Sequence, residues 1–463
     1  MSTGGSAALR GWSAVVLAAG RGVRMRSRRP KALHEVAGRS MLRLLLDALA
    51  DAGCERSVVV AAAEDDAVAA AAREAGALVA VQQEPRGTAD AALAAAGAVG
   101  EAGRVLIVHG DLPLLTSQGL AGLADAHTEA RATLSLLTVE VDDPTGYGRI
   151  VRSAGSVSAI VEEADADAAT RAIGEINVGV YAAEAAWLWP ALASLAPSAG
   201  GEVYLPDAVR AALEAGHAVL ARPLAEASEA QQVNTRGQLA AAEAVMRDRV
   251  RRRLMDGGVT IADPSATWID AGVEVGEDTT LLPGVHLLGT TAVGRDCRIG
   301  PNAVLRDTRV GERCTIGGST LEGATLADDV RVGPYCHIRP GSTIEAGARL
   351  GNYAEVKASR VGAGSRVGHF SYLGDADVGE DVNIGAGTIT ANYDGTEKHR
   401  TVIGDGAFIG SDSMLVAPLR IGAGARTGVG SVVTRDVPPG ASAIGAPARI
   451  RRSSEDDSAG EEQ

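Results

Sequence analysis

The sequence predicts an open α/β sheet layered with helices, followed by a parallel β-helix. Three observations carry that prediction. Up to about residue 236, apolar runs of strand length alternate with Gly-containing loops and amphipathic stretches, the pattern of a mostly parallel sheet. Beyond Pro264 the helical periodicity vanishes, and an aliphatic residue followed by Gly recurs at Val275, Val293, Ile299, Val310, Ile316, Val332 and Leu350. The rows continue at Val361, Val367, Val378, Ile384, Ile403, Ile409 and Ile421. Finally, equivalent rows such as Val293 and Val310, or Ile299 and Ile316, lie 17 residues apart, which is three short strands per coil of a hexapeptide-type β-helix.

The elements of the first part follow in order. The run 13–25 is a strand leading into a Gly- and Arg-containing loop, a place where backbone N–H groups and cations can hold a nucleotide phosphate. An amphipathic helix is expected from about Ser40 to Ala52 and strands at 57–62, 77–81, 104–108 and 133–139. Asp111 follows the strand 104–108 at the carboxyl end, where open sheets bind ligands, and so is a candidate metal ligand. The polar stretches 145–150, 161–163, 175–179 and 231–235 read individually as turns. From Gly237 to Gly257 an Ala-rich helix ending at a Gly pair is expected to connect the two parts, with its Arg-rich face solvated.

In the second part each coil buries its aliphatic column by stacking on the next. The register breaks between Ile384 and Ile403, where 390–400 is expected to bulge out as a loop, and loops that leave a regular scaffold tend to carry function. The expected boundaries are therefore 1–236, a linker helix 237–257, the β-helix 258–452, and a solvated acidic tail 453–463.

Composition excludes several functions. The 463 residues carry a formal charge of −14, which argues against nucleic acid or an anionic membrane as partner. No run long enough to span a bilayer and no signal-like N-terminus is present, so a cytoplasmic enzyme without membrane insertion is expected. Cys54, Cys297, Cys314 and Cys336 lack C-x-x-C pairing; Cys297 and Cys314, one coil apart, are expected to be stacked wall residues. The chain uses Arg for nearly every cation and keeps Lys only at 31, 357 and 398. Sites that need a compact, strongly hydrated point charge would retain Lys in so Arg-rich a sequence, which makes all three functional candidates.

Together the motifs LAAGRGVRM, Pro30-Lys31, QEPRGT, GDLPL, TGYGRI, EINVG and VNT, in that order, resemble a sugar-nucleotide pyrophosphorylase domain. With the hexapeptide rows, the stretch from about Ser13 to Arg452 resembles the bifunctional N-acetylglucosamine-1-phosphate uridyltransferase and glucosamine-1-phosphate N-acetyltransferase family. The resemblance implies a Rossmann-like nucleotidyltransferase domain followed by a left-handed parallel β-helix, assembled as a homotrimer through the β-helix. It implies small-molecule substrates, with UTP and acetyl-CoA as co-substrates and Mg²⁺ as cofactor. The backbone of Leu17, Ala18, Ala19 and Gly20, with Lys31, would hold the nucleotide phosphates, and Gln82, Gly87 and Thr88 the uracil. Gly148, Glu162 and Asn177 would hold the N-acetylated sugar, and Asp111 and Asn234 the metal.

In the second part the resemblance implies a glucosamine-1-phosphate pocket of Arg339, Lys357, Tyr372, Asn383 and Lys398. His369 would be the general base for acetyl transfer, histidine being the side chain that ordinarily titrates near neutral pH. Glu355 would orient the base or the amine, while Ala386, Asn392, Tyr393, Ser411 and Val429 would receive acetyl-CoA. The chain departs from the family at Val23, at Ala89-Asp90, at His109 and at Ala446, which bears on nucleotide and sugar selectivity more than on reaction type. At Ala446 an Arg for coenzyme A is missing, and Arg449, Arg451 or Arg452 is expected to replace it. Two other readings stand beside this one: an enzyme of the same architecture using another sugar 1-phosphate or nucleotide, and a non-catalytic regulatory scaffold.

Overall fold

The computed structural model describes residues 8–451 except 21, 65, 102, 199 and 200; the expected acidic tail and Arg452 lie outside the described residues. The chain packs as two compact units, 1–246 and 247–463.

The first unit is a nine-stranded sheet. We label its strands β1 (Trp12–Leu17), β2 (Arg56–Ala61), β3 (Leu78–Val81), β4 (Arg104–His109), β5 (Leu134–Glu140), β6 (Arg149–Ser153), β7 (Ser156–Val161), β8 (Glu175–Glu184) and β9 (Val219–Pro223). Their order is β9-β5-β8-β4-β1-β2-β3, with β6 attached to β8 and β7 to β6. The first four strands pair in parallel, as the sequence suggests, but β8 runs antiparallel to both β4 and β5. The stretch 175–179, expected to be a turn, is therefore the first half of a central strand. The apolar pattern breaks where the ladder does, at a shift in register between Asn177 and Tyr181 that includes Gly179 at φ 86°.

Helix α1 (Met41–Asp51) buries Met41, Leu42, Leu45, Leu46 and Leu49, one face of a 3.6-residue period, and its N-terminus is capped by Ser40, whose hydroxyl accepts the Arg43 N–H at 3.2 Å. Helix α2 (Ser117–Ala130) packs His127 into the same layer. There the imidazole Nδ1 lies 2.8 Å from the Ser135 hydroxyl and its ring meets Trp12 edge-on. Burial holds the His127 pKa below the ordinary value against the opposing pull of Glu184. A depressed folded-state pKa contributes stability that is present above the unfolded value, near 6.5, and is lost as pH falls through the folded value. The melting temperature of this unit is thus expected to drop between pH 7.5 and 5, and less steeply in His127→Gln; an unchanged slope in that variant contradicts the assignment.

In the second unit three parallel sheets form the walls of a prism. Along each short strand one residue points in and its neighbours point out, so Ile299, Ile316 and Val332 stack as consecutive rungs, all buried. The 17-residue spacing read from Val293/Val310, Ile299/Ile316 and Val361/Val378 matches the pairing register. Asp278, Asp296, Asp329, Asp381 and Asp412 adopt positive φ at corners, a conformation Asp and Asn tolerate better than most residues. Cys297 and Cys314 are wall residues, and a reason is visible: Thr279 Oγ1 accepts the Cys297 N–H, and Cys297 Sγ accepts the Cys314 N–H at 3.3 Å. Truncating one rung, Ile316→Ala, is expected to cost about 2–5 kcal/mol, read as a lowered denaturant midpoint of this unit; a loss below about 0.5 kcal/mol would mean the column is not load-sharing.

The helix Arg236–Asp256 is not a free linker. Leu239, Ala242, Val245 and Met246 pack with Met25, Met41 and Leu114 in the first unit, while Val250 and Leu254 join the β-helix core. Its Arg-rich face, expected in solvent, is partly covered. Arg247 is buried, ion-paired with Asp270 at 3.1 Å and stacked on Trp268, and Arg251 donates to the Thr267 carbonyl. The reason is the first coil, which has no preceding coil to cover it and needs a cap.

Candidate active sites

At the carboxyl ends of β1 and β4 the first unit opens a cavity of about 390 Å³. Its lining includes Leu17, Ala18, Ala19, Gly20, Lys31, Gln82, Gly87, Thr88 and Asp111, nine of the residues singled out from the sequence. Ala18 N–H is tied to the Val60 carbonyl and Gly110 N–H to that of Leu17, so Ala19 and Gly20 begin the loop from a fixed base. Gly22 has φ 59°, and a Cβ there would stand 2.7 Å from the Lys31 Cβ; only Gly lets the loop pass the lysine stem. Gly87, at φ 111°, likewise lies against Val203, where a Cβ would collide with the carbonyl oxygen.

Lys31 Nζ sits between Asp111 Oδ2 at 2.6 Å and Asn234 Oδ1 at 2.9 Å. These two oxygens already hold one cation, and Asp111 Oδ1 is buried without a partner. A carboxylate with an amide oxygen fits a hard divalent ion such as Mg²⁺, which takes few protein oxygens when phosphates and waters complete its shell. Among the described residues no group of three or more His, Cys, Asp or Glu is placed to hold a metal ion.

Gly148, Glu162 and Asn177 gather in a neighbouring cluster. The Asn177 N–H donates to the Gly148 carbonyl at 2.8 Å, and a Cβ on Gly148 would stand 3.0 Å from Glu162 Oε1. Asn177 Nδ2 donates to the Tyr181 hydroxyl at 2.6 Å. Burial, then Asp165 and Asp207, raises the Glu162 pKa, with Arg149 opposing. Burial also lowers that of His109, a cavity residue, against Asp111.

On the β-helix, Glu355 pairs with Tyr372 and Lys357 with Gly374 one coil on, so these outward side chains share one sheet face. The Arg339 N–H donates to the Val356 carbonyl, and its guanidinium reaches Glu355 at 2.9 Å, which places it on the same face. Lys398 arrives from the register-breaking loop. The Lys357 ammonium beside it pulls its pKa below the ordinary lysine value, with Asp375 and Tyr372 partly opposing. Two ammonium groups side by side form a seat for an anion. His369 is exposed at the corner three residues before Tyr372. Asn383 pairs with Arg366 and lies on the other sheet, apart from this face within the chain.

The pairing register also orders the remaining candidates. Val367 pairs with Ile384 and Ile384 with Ile409, so His369, Ala386 and Ser411 follow one another down a single corner. Gly430 N–H donates to the Ser411 carbonyl, which puts exposed Val429 next. The bulged loop begins at Asn392 rather than Thr390, since Thr390 and Ala391 complete a strand. Asn392 is buried and fastens the loop base: its amide donates to Asp375 and its carbonyl accepts the His399 N–H. Tyr393 is exposed on the loop, its hydroxyl on the Gly395 carbonyl at 2.6 Å. Arg449 and Arg451 lie on the last described strand, Ala448–Arg451, which folds back on Ser442–Gly445.

Sequence reasoning missed Glu202 and Tyr204, which line the cavity, and Val203, whose backbone braces Arg86 and Ala89. No local signal marks them, because the stretch reaches the site only through the fold. It also missed the bond from Gln82 to Asp90, although Asp90 was conspicuous as a departure.

Comparison with known proteins agrees with this geometry. Residues 14–175 match the MobA-like NTP transferase domain, 272–307 the bacterial transferase hexapeptide of six repeats, and 307–333 and 400–435 the hexapeptide repeat of succinyl-transferase. The second unit is accordingly a left-handed parallel β-helix of hexapeptide repeats. The chain is 47% identical over 437 residues to the "Bifunctional protein GlmU" of Heliobacterium modesticaldum, covering 93% of this chain and 95% of that one. It is 44% identical to the protein of that name from Trichlorobacter lovleyi, at 93% and 95% coverage, and 43% identical to that of Corynebacterium glutamicum, at 93% and 90%. With a nucleotidyltransferase unit and a hexapeptide-repeat acyltransferase unit in the order of those relatives and over nearly their whole length, the chain belongs to the bifunctional GlmU family of transferases.

Proposed function

We propose that the chain makes UDP-N-acetylglucosamine by two transfers at two sites. The observation that carries this reading is the fate of the three lysines. One lies between two oxygen ligands at the mouth of the α/β cavity, and the other two stand together on the β-helix. Each place suits a phosphate, which both halves of the reaction require.

In the first transfer the amine of glucosamine-1-phosphate attacks the thioester carbon of acetyl-CoA. A C–N bond forms, the C–S bond breaks, and coenzyme A leaves as the thiol. His369 accepts the ammonium proton, Glu355 orients the base or the amine, and Arg339, Lys357, Tyr372 and Lys398 hold the sugar phosphate. Asn383, apart from this face within one chain, would reach such a pocket from a neighbouring copy. Acetyl-CoA lies along the corner marked by Ala386, Ser411 and Val429, with Asn392 and Tyr393 of the loop beside it, and the Ser411 region steadies the oxyanion.

In the second transfer a phosphate oxygen of N-acetylglucosamine-1-phosphate attacks the α-phosphorus of UTP, and pyrophosphate leaves. No protein nucleophile is needed; Lys31 and the loop backbone align and neutralise the phosphates. Asp111 and Asn234 would hold Mg²⁺, which when bound shields the phosphate charge. Gln82, Gly87 and Thr88 would read the uracil, and Gly148, Glu162 and Asn177 the sugar.

The β-helix would join three copies. Tyr335 and Tyr353, stacked at 5.2 Å, run with Phe370 down one corner beside His369, all exposed in a chain with 3% aromatics. Light scattering should count three chains per particle. No helix among the described residues is long and apolar enough to cross a membrane, and we place the enzyme in the cytoplasm. Purified protein should release pyrophosphate from UTP with N-acetylglucosamine-1-phosphate; release only with another sugar 1-phosphate or nucleotide would replace the substrate assignment, and none with any would reject it.

A further inference from the structure

We infer that Asp90 is a positioning residue that makes the nucleotide cavity select a base bearing a ring N–H donor, such as uracil, over cytosine. The inference rests on the reading of the cavity as the nucleotide site. Gln82 follows β3, its backbone N–H fixed to the Ala61 carbonyl at 3.0 Å, and its side chain is buried in the cavity wall. Its Nε2 donates to the Gly87 carbonyl at 3.0 Å and to Asp90 Oδ2 at 2.9 Å. Both partners are pure acceptors. A flipped amide would aim Oε1 at a carbonyl and a carboxylate, so the orientation is set by chemistry.

With both N–H groups engaged, Oε1 alone is left for a ligand, and it can only accept. The N3–H of uracil answers it. The N3 of cytosine, in the same pose, would oppose it lone pair to lone pair, and a site that leaves buried polar groups unpaired rejects a ligand strongly. Asp90 does not line the cavity; it acts from behind, through Gln82. Without it, only Gly87 restrains the amide, which can then turn and present N–H to cytosine.

The test is the ratio of kcat/KM for UTP to that for CTP in uridylyl-type transfer. Asp90→Ala and Asp90→Leu, the second keeping side-chain volume, should lower the ratio by roughly 10- to 100-fold, the worth of a hydrogen bond to a charged group. Asp90→Asn, which still offers an acceptor, should keep it. An unshifted melting transition of the first unit, which carries Asp90, reports that the variants are folded. A ratio unchanged in Asp90→Ala and Asp90→Leu, whatever happens to overall rate, overturns the inference and leaves the cavity assignment standing. Failure of the parent chain to use UTP at all overturns the cavity assignment itself.

Discussion

Replacing His369 by Ala should lower acetylation of glucosamine-1-phosphate by roughly 10²- to 10⁴-fold, the usual worth of a positioned acid–base group, and leave uridylyl transfer near normal. The side chain is exposed at a prism corner and its backbone carbonyl, not its ring, serves the fold by accepting the Ser371 hydroxyl at 2.7 Å. Loss of folding is therefore not the expected route to loss of activity. Acetylation retained within about tenfold would remove His369 from the role of base. The measurement is coenzyme A release from acetyl-CoA, run beside pyrophosphate release on the same protein.

Asp111→Ala should do the converse, lowering uridylyl transfer by at least about 10²-fold while acetyl transfer persists. The substitution removes one of the two oxygens that hold Lys31 and would hold the metal, so phosphate neutralisation is lost from two sides at once. Equal loss of both activities would reject the assignment, because Asp111 and His369 belong to separately packed units.

Hexapeptide rows are legible in a sequence because each rung is local. An inward aliphatic residue and the Gly after it recur every six positions, and stacking follows from that alone. Thus Val293, Ile299 and Val361 pair with the residues 17 positions on. Strand β8 was illegible for the opposite reason: Asn177 and Gly179 interrupt its apolar pattern where the pairing register shifts. The solvated arginine face failed at Arg247 because an amphipathic pattern cannot say that Trp268 and Asp270, on the first coil, will meet it.

For the candidate sites, residue types were legible and distances were not. Lys31, Asp111 and Asn234 are 80 and 203 residues apart in sequence, yet their polar atoms come within 2.6 and 2.9 Å of one ammonium. The scarcity of Lys pointed to Lys31 before any contact was known, and the end of a sheet strand to Asp111. Nothing comparable marked Glu202 or Tyr204, and the order of His369, Ala386, Ser411 and Val429 down one corner needed the pairing register.

The most direct measurement combines the two variants. Neither His369→Ala nor Asp111→Ala alone should convert glucosamine-1-phosphate, acetyl-CoA and UTP to UDP-N-acetylglucosamine at an appreciable rate. Mixed in one tube they should restore product, because N-acetylglucosamine-1-phosphate made by the Asp111 variant is free to diffuse to the intact cavity of the His369 variant. A mixture as inactive as either protein alone would contradict two independent sites joined only by a shared intermediate.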